Sequence, residues 1–293
     1  MSLPVDGRKL IINAINEGTT DSARILSHFR NLGGKSYFIN LLEEAGEADS
    51  EDNRAHGHKK GDNKTFQSIK ATPRTIYNKM TYKMLDLDAM EVYENPELVS
   101  IRAEELVNNI LAEWARAAII GDGRTAPASG QPDYRMFDGA RGFYSVLADA
   151  TAQSGIGTNL ASSTSVAGNL YDGVVAGRGY IKTEGGQILI AKSAKITALL
   201  QAKANNGYLV APGARIEDIL GVERVYTPTW MDSQTVDAIL LVNNAYKHGG
   251  ERGIRARTEF DTSNNTDILL DETPRFGSLG EYKSAVAITL SES

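Results

Sequence analysis

Apolar positions along this chain change their spacing several times, and each change marks a different element. From Ile76 to Met84 the residues alternate. Ile76, Asn78, Met80, Tyr82 and Met84 share one side, and Tyr77, Lys79, Thr81 and Lys83 the other. Period two over that length predicts a half-buried strand. The apolar run YFINLL at 37–42 is its expected partner upstream. Between them, DSEDNRAHGHKKGDNKT at 49–65 has almost nothing to bury. The reading is a long hairpin with a polar tip. Two strands alone are marginal in water, so such a hairpin needs another surface to lie on.

Helical spacing dominates elsewhere. Asn95-Pro96-Glu97 combines an N-cap, a proline suited to the first helical position and an early acid. Ala103, Leu106, Val107, Ile110, Trp114 and Ala118 then follow a 3.6-residue period. The spacing predicts one helix over 96–120, about 37 Å long at 1.5 Å per residue, stopped by Gly121-Asp122-Gly123. Upstream, SARILSHFRNL at 22–32 reads as a short amphipathic helix closed by Gly33-Gly34, at the end of an N-terminal arm covering 1–34. The stretch 121–163 is rich in glycine and serine, interrupted by the more apolar GFYSVLADA. QILIA (187–191) and AILLV (238–242) read as buried strands, with AKITALLQAK (194–203) as a helix between them. Ile254, Ala256, Thr258 and Phe260 alternate with charged neighbours, and Val286, Ile288 and Leu290 sit two apart, so the chain ends in half-buried strands. The class is α+β.

Composition narrows the chemistry. The chain has 293 residues, enough for a sizeable core, and 41% hydrophobic content marks it as globular. A net charge of −6 argues against a general nucleic-acid binder, which needs clustered positive charge. Without cysteine there is no disulfide, thiolate nucleophile or thiolate zinc site. No apolar run approaches the roughly 20 residues that cross a bilayer. The opening MSLPVDGRKL lacks the layout of a secretion signal, so a soluble cytoplasmic protein is expected. Met1 is expected to mark a start from which no large N-terminal segment has been removed.

Each motif with chemical potential has a plainer reading. His56 and His58 supply two metal ligands where three or four are needed, and His28 and His248 lie far away in sequence. Asp261, Ser263, Asn265 and Glu272 match calcium-loop spacing, but Thr266 stands where the obligatory glycine belongs. A turn between strands is expected there. The sequons at Asn63 and Asn264 are idle without secretion. Gly121-Asp122-Gly123 follows a helix rather than a strand, so it stops a helix and cradles no phosphate. No nucleophile–base motif is present. No metal, cofactor or enzymatic activity is expected.

The order of these parts resembles a known family. PELVSIRAEELVNNILAEWARAAIIGDG, GFYSVLAD, IEDILGVERVYTPTWM, NNAYKHGGERGIRARTEFD and EYKSAVAITL stand in the order of the Hong Kong 97-like major capsid protein of tailed bacteriophages. The resemblance covers most of the chain from about Tyr37 and rests on order and spacing. It implies an extended E-loop hairpin at 35–84 and a P domain at 85–163 with spine helix 96–120. It further implies an A domain at 164–246 and returning P-domain strands at 247–293.

The function implied is a structural one. Subunits would self-assemble as hexamers and pentamers into an icosahedral shell that encloses DNA without reading its sequence. Assembly would take place in the host cytoplasm, with portal and scaffolding proteins and a decoration protein as further partners and no membrane. An encapsulin-type bacterial compartment is the alternative with the same fold. Lys59, Lys60 and Lys64 on the hairpin tip become candidates for ion pairs with a neighbouring subunit. Some family members also join an E-loop lysine to a neighbour's asparagine with a glutamate as base. Lys59 or Lys60, Asn265 and Glu272 would fill those roles here.

Overall fold

The computed structural model describes residues 20–32, 38–42, 66–70, 74–83, 96–121, 145–151, 160–205, 215–250, 255–261 and 266–291. Along the chain these form α1 (Asp21–Ile25), a 3-10 turn (Leu26–His28), β1 (Arg30–Asn31), β2 (Phe38–Leu42), β3 (Phe66–Lys70), β4 (Arg74–Lys83) and α2 (Pro96–Ile120). There follow α3 (Val146–Thr151), β5 (Ala161–Ala167), α4 (Leu170–Arg178), β6 (Gln187–Ala191), α5 (Ser193–Asn205), α6 (Ile216–Leu220) and β7 (Arg224–Tyr226). The last strands are β8 (Ala238–Val242), β9 (Tyr246–Gly250), β10 (Arg255–Asp261), β11 (Thr266–Leu279) and β12 (Ala285–Ser291). The content is mixed helix and sheet, as expected, and divides into two compact units whose boundary passes through β9 and β11.

The first unit joins the long helix to a sheet ordered β1-β9-β11-β10, with β4 also paired to β11. Helix α2 occupies 96–120, the span its capping signals and period predicted. Val107, Ile110, Leu111 and Trp114 form its buried stripe, and towards its C-terminal end Ala115, Ala117, Ala118 and Ile119 are buried too. It packs on α1 and β4.

Two expectations are corrected here. The strand read at 76–84 does not pair with 37–42. As β4 it runs antiparallel to β11, from Lys83 opposite Thr266 to Arg74 opposite Arg275. β2 pairs instead with β3, Phe38 opposite Lys70 and Leu42 opposite Phe66. Alternation marks a half-buried strand but does not name its partner. The expected 35–84 hairpin is therefore a shorter ribbon, β2–β3, followed by a strand of the larger sheet. The helix read at 22–32 is also shorter. Thr20 Oγ1 caps α1 by accepting from the Ala23 N–H at 3.3 Å. By Phe29 the backbone is extended, and the Leu32 N–H donates to the His248 carbonyl at 2.8 Å. Pairing with β9 outweighs local helix preference there.

The second unit contains a five-stranded sheet ordered β5-β12-β8-β6-β7. β5 is parallel to β12, and β12 and β6 both run antiparallel to β8. On one face Leu189, Ala191, Leu240, Val286 and Ile288 join Leu170, Val174, Leu199 and Leu220 in one core. On the other, Ile188, Ile190, Ile239 and Leu241 are equally buried. Burial on both faces explains the unbroken apolar runs QILIA and AILLV. Here the expected division is corrected again: β12, grouped by sequence with the returning strands 247–293, lies inside the sheet built by 161–242. The sheet also begins at Ala161, within the stretch read as a glycine- and serine-rich connection.

Candidate assembly surfaces

The ribbon β2–β3 is an antiparallel pair whose principal contacts are between its own strands. The chain between these strands, 43–65, contains the polar tip, so Lys59, Lys60, Lys64, His56 and His58 lie outside the described residues. On the other sheet, β10 and β11 form a hairpin from Arg255 opposite Glu272 to Asp261 opposite Thr266. Its connection, 262–265, carries Asn265, also outside the described residues. Glu272 sits within β11, between Arg255 of β10 and Tyr77 of β4. That register removes the calcium-loop spacing, because Thr266 to Glu272 is strand. Six strand residues at about 3.3 Å each put the backbones of Thr266 and Glu272 roughly 20 Å apart.

Among the described residues no group of three or more His, Asp or Glu side chains could hold a metal. His248 is buried, its ring edge-on to Phe29 at 6.3 Å between centroids. Among the described residues no helix is long and apolar enough to cross a membrane.

Polar chemistry in the second unit ties the sheet together. Asp237, buried just before β8, accepts from Lys192 Nζ at 3.2 Å and from the Leu290 N–H at 2.8 Å, and Lys195 Nζ stands 3.9 Å away. One carboxylate thereby joins β8, β12 and the start of α5. At the C-terminal end of α4, Arg178 donates through Nη2 to the carbonyls of Leu220 and Gly221, each at 2.6 Å, and through Nε to Gln187 Oε1 at 3.1 Å. A guanidinium on the last carbonyls of α6 complements that helix's negative end. Near the sheet's other end Lys247 Nζ meets Glu281 at 2.8 Å. None of these residues stood out in the sequence, where they are single charges outside any motif.

The outer face of α4 is different in kind. Tyr171 and Val175, one helical turn apart, are 42% and 49% exposed, and Tyr180 just beyond the helix is 44% exposed. The opposite face presses on β12 through Gly173 and Gly177, where an added Cβ would meet Leu290 and Ile288.

With this geometry in place, the likeness to known proteins is direct. No family model matches the chain. The capsid proteins of Lactococcus phages p2 and SK1 are each 27% identical over 250 residues, 82% of this chain and 58% of theirs. The chain thus spans less than two thirds of the length of these curated relatives. Among solved structures, the capsid of a native GTA particle computed with C5 symmetry superposes with a TM-score of 0.61 at 11% identity, covering 92% of this chain and 90% of that one. A subunit from the procapsid of satellite phage P4, with its size-determination protein, gives 0.59 at 11% identity over 97% and 99%. One from Mycobacterium phage Adephagia gives 0.56 at 15% identity over 92% and 90%. The fold is that of phage-type capsid subunits, and the resemblance to tailed-phage major capsid proteins holds in both sequence and structure.

Proposed function

We propose that this chain is the major capsid protein of a tailed bacteriophage. Copies assemble as pentamers and hexamers into an icosahedral head shell around double-stranded DNA. The observation that carries the reading is the superposition on capsid subunits over nine tenths or more of both chains, supported by curated phage capsid relatives. Those sequence relatives do not favour the encapsulin alternative. The acidic balance fits a container that holds DNA without gripping it. In this reading the role is structural rather than enzymatic, the protein ends in the virion after assembly in the host cytoplasm, and portal, scaffolding and decoration proteins are its further partners.

Within that role the ribbon β2–β3 with its polar tip acts as the E-loop, α2 as the spine of the P domain and the β5–β12 sheet as the A domain. A thin ribbon gains stability by lying on a neighbour. Lys59, Lys60 and Lys64 then pair with acidic groups of the next subunit, each worth about 0.2–1 kcal/mol if exposed but repeated at every subunit. A covalent version would join Lys59 or Lys60 Nζ to the side-chain carbonyl carbon of a neighbour's Asn265, releasing ammonia, with Glu272 taking the amine proton. In this version Glu272 and Asn265 come from different chains.

The test is expression of the chain, size-exclusion chromatography and negative-stain electron microscopy. Closed shells, tubes or ring-like capsomers eluting in the void volume support the reading. A monomer or dimer that stays so at high concentration, under crowding and with added scaffold, overturns it. A denaturing gel of the particles separates the covalent version, which gives a ladder, from the non-covalent one, which gives monomer alone.

A further inference from the structure

We infer that the outer face of α4, with the neighbouring edge of β5, is a contact surface for a second copy of this chain. The inference rests on the shell reading above and adds the place where copies meet. Among the described residues β5 is an edge strand, paired within the sheet to β12 alone. Its seven residues, ASSTSVA, contain no charge and no proline. Proteins that keep an edge open to water defend it with such residues, a short strand or a bulge. This edge has neither charge nor proline, and α4 packs directly beside it.

The helix continues the same character. From Ala161 to Gly177 the only charged residue is Asp172. Its carboxylate is turned back to accept from the Asn169 N–H at 3.0 Å, closing the capping box of α4. That leaves Tyr171 and Val175 exposed on a surface whose one charge, Asp172, is held in the helix cap. Exposed aromatic and aliphatic side chains on a charge-depleted patch are the composition of an interface core.

Charge also selects the occupant. Each copy carries −6, so a patch with few charges is a place where a second copy approaches with little repulsion. In a ring of copies about a five-fold or six-fold axis the contact is heterologous, and this patch meets a different surface of the neighbour.

The test uses the full chain with Val175→Glu, Tyr171→Glu and, as a control, Val175→Ala. Both altered positions are solvent-exposed, so thermal unfolding should stay within a few degrees of the unsubstituted chain. The glutamate variants should lower the particle fraction at least tenfold, with the alanine variant assembling normally. The absence of native cysteine gives a second readout that does not depend on the glutamate variants folding. In Val175→Cys, maleimide labelling should be at least tenfold slower in particles than in unassembled subunits. Glutamate variants that assemble normally, or equal labelling rates in the two states, overturn the contact surface while leaving the shell reading intact. Failure of the unsubstituted chain to form any particle overturns both.

Discussion

Asp237 accepts the backbone N–H of Leu290 at 2.8 Å while holding Lys192 Nζ at 3.2 Å through its other oxygen. The side chain of a residue preceding β8 thus completes the hydrogen bonding of β12, fifty-three positions further on. Removing it leaves a buried donor unmade and Lys192 without its counter-charge, whereas asparagine still accepts from Leu290. Asp237→Ala should therefore destabilise this unit by about 2–4 kcal/mol, and Asp237→Asn by about half that, because the partly exposed lysines retain access to water. Denaturant melts of the two variants check the order, and equal effects would reduce the carboxylate's role to its charge alone.

The approach of α4 to β12 depends on two glycines. A Cβ on Gly173 would stand 2.8 Å from Leu290 Cδ2 and 2.9 Å from Ile288 Cγ2, while one on Gly177 would meet Ile288 and Val286 at 3.1 Å. Alanine improves helix propensity by about 1 kcal/mol, but forcing a methyl into a packed core costs about 1–3 kcal/mol. Gly173→Ala should be net destabilising, and Gly177→Ala close to neutral. Thermal unfolding of the two variants tests the order, and a stabilised Gly173→Ala would mean that helix and strand separate easily.

Arg178 reaches two carbonyls and one side-chain amide at once, a fork that lysine does not reproduce. Arg178→Lys should cost about 1–2 kcal/mol despite conserving charge, since one ammonium replaces three directed donors. Gly221, one of the acceptors, has φ +65°, so Gly221→Ala should add its own penalty of about 1 kcal/mol for left-handed backbone. The two positions share a contact, so their double variant should lose less than the sum.

How much of this was visible in the sequence varies from element to element. Helix α2 was legible to the residue because Asn95-Pro96 opens it, Gly121 closes it and its stripe keeps one period throughout. β6 and β8 were legible because burial on both faces leaves unbroken apolar runs. β5 was not: its side chains are small and polar, so its alternating exposure leaves no apolar alternation to read. α4 was hidden by Gly173 and Gly177, which suggest a loop until β12 lies beneath them. β4 was legible as a strand but not in its pairing, because β11 lies far along the chain and nothing local names it. The tip lysines and Asn265 remain sequence-level candidates, whereas Asp237, Arg178 and the α4 face emerge only once the strands are paired.

Tyr246 offers a test of buried packing at alkaline pH. Its side chain is fully buried at the start of β9, and burial pushes its phenol well above the ordinary value of 10.0. The folded chain thus keeps a proton that the unfolded chain releases near pH 10. A group with a raised folded pKa contributes its full stability below the unfolded value and loses it as pH climbs towards the folded one. Stability should therefore fall above about pH 10, where the unfolded state binds fewer protons. Ultraviolet titration of the twelve tyrosines should show Tyr246 ionising only as the unit unfolds. Tyr246→Phe should retain more of its neutral-pH stability at pH 11 than the unsubstituted chain does. If both lose the same fraction, another group drives the alkaline transition.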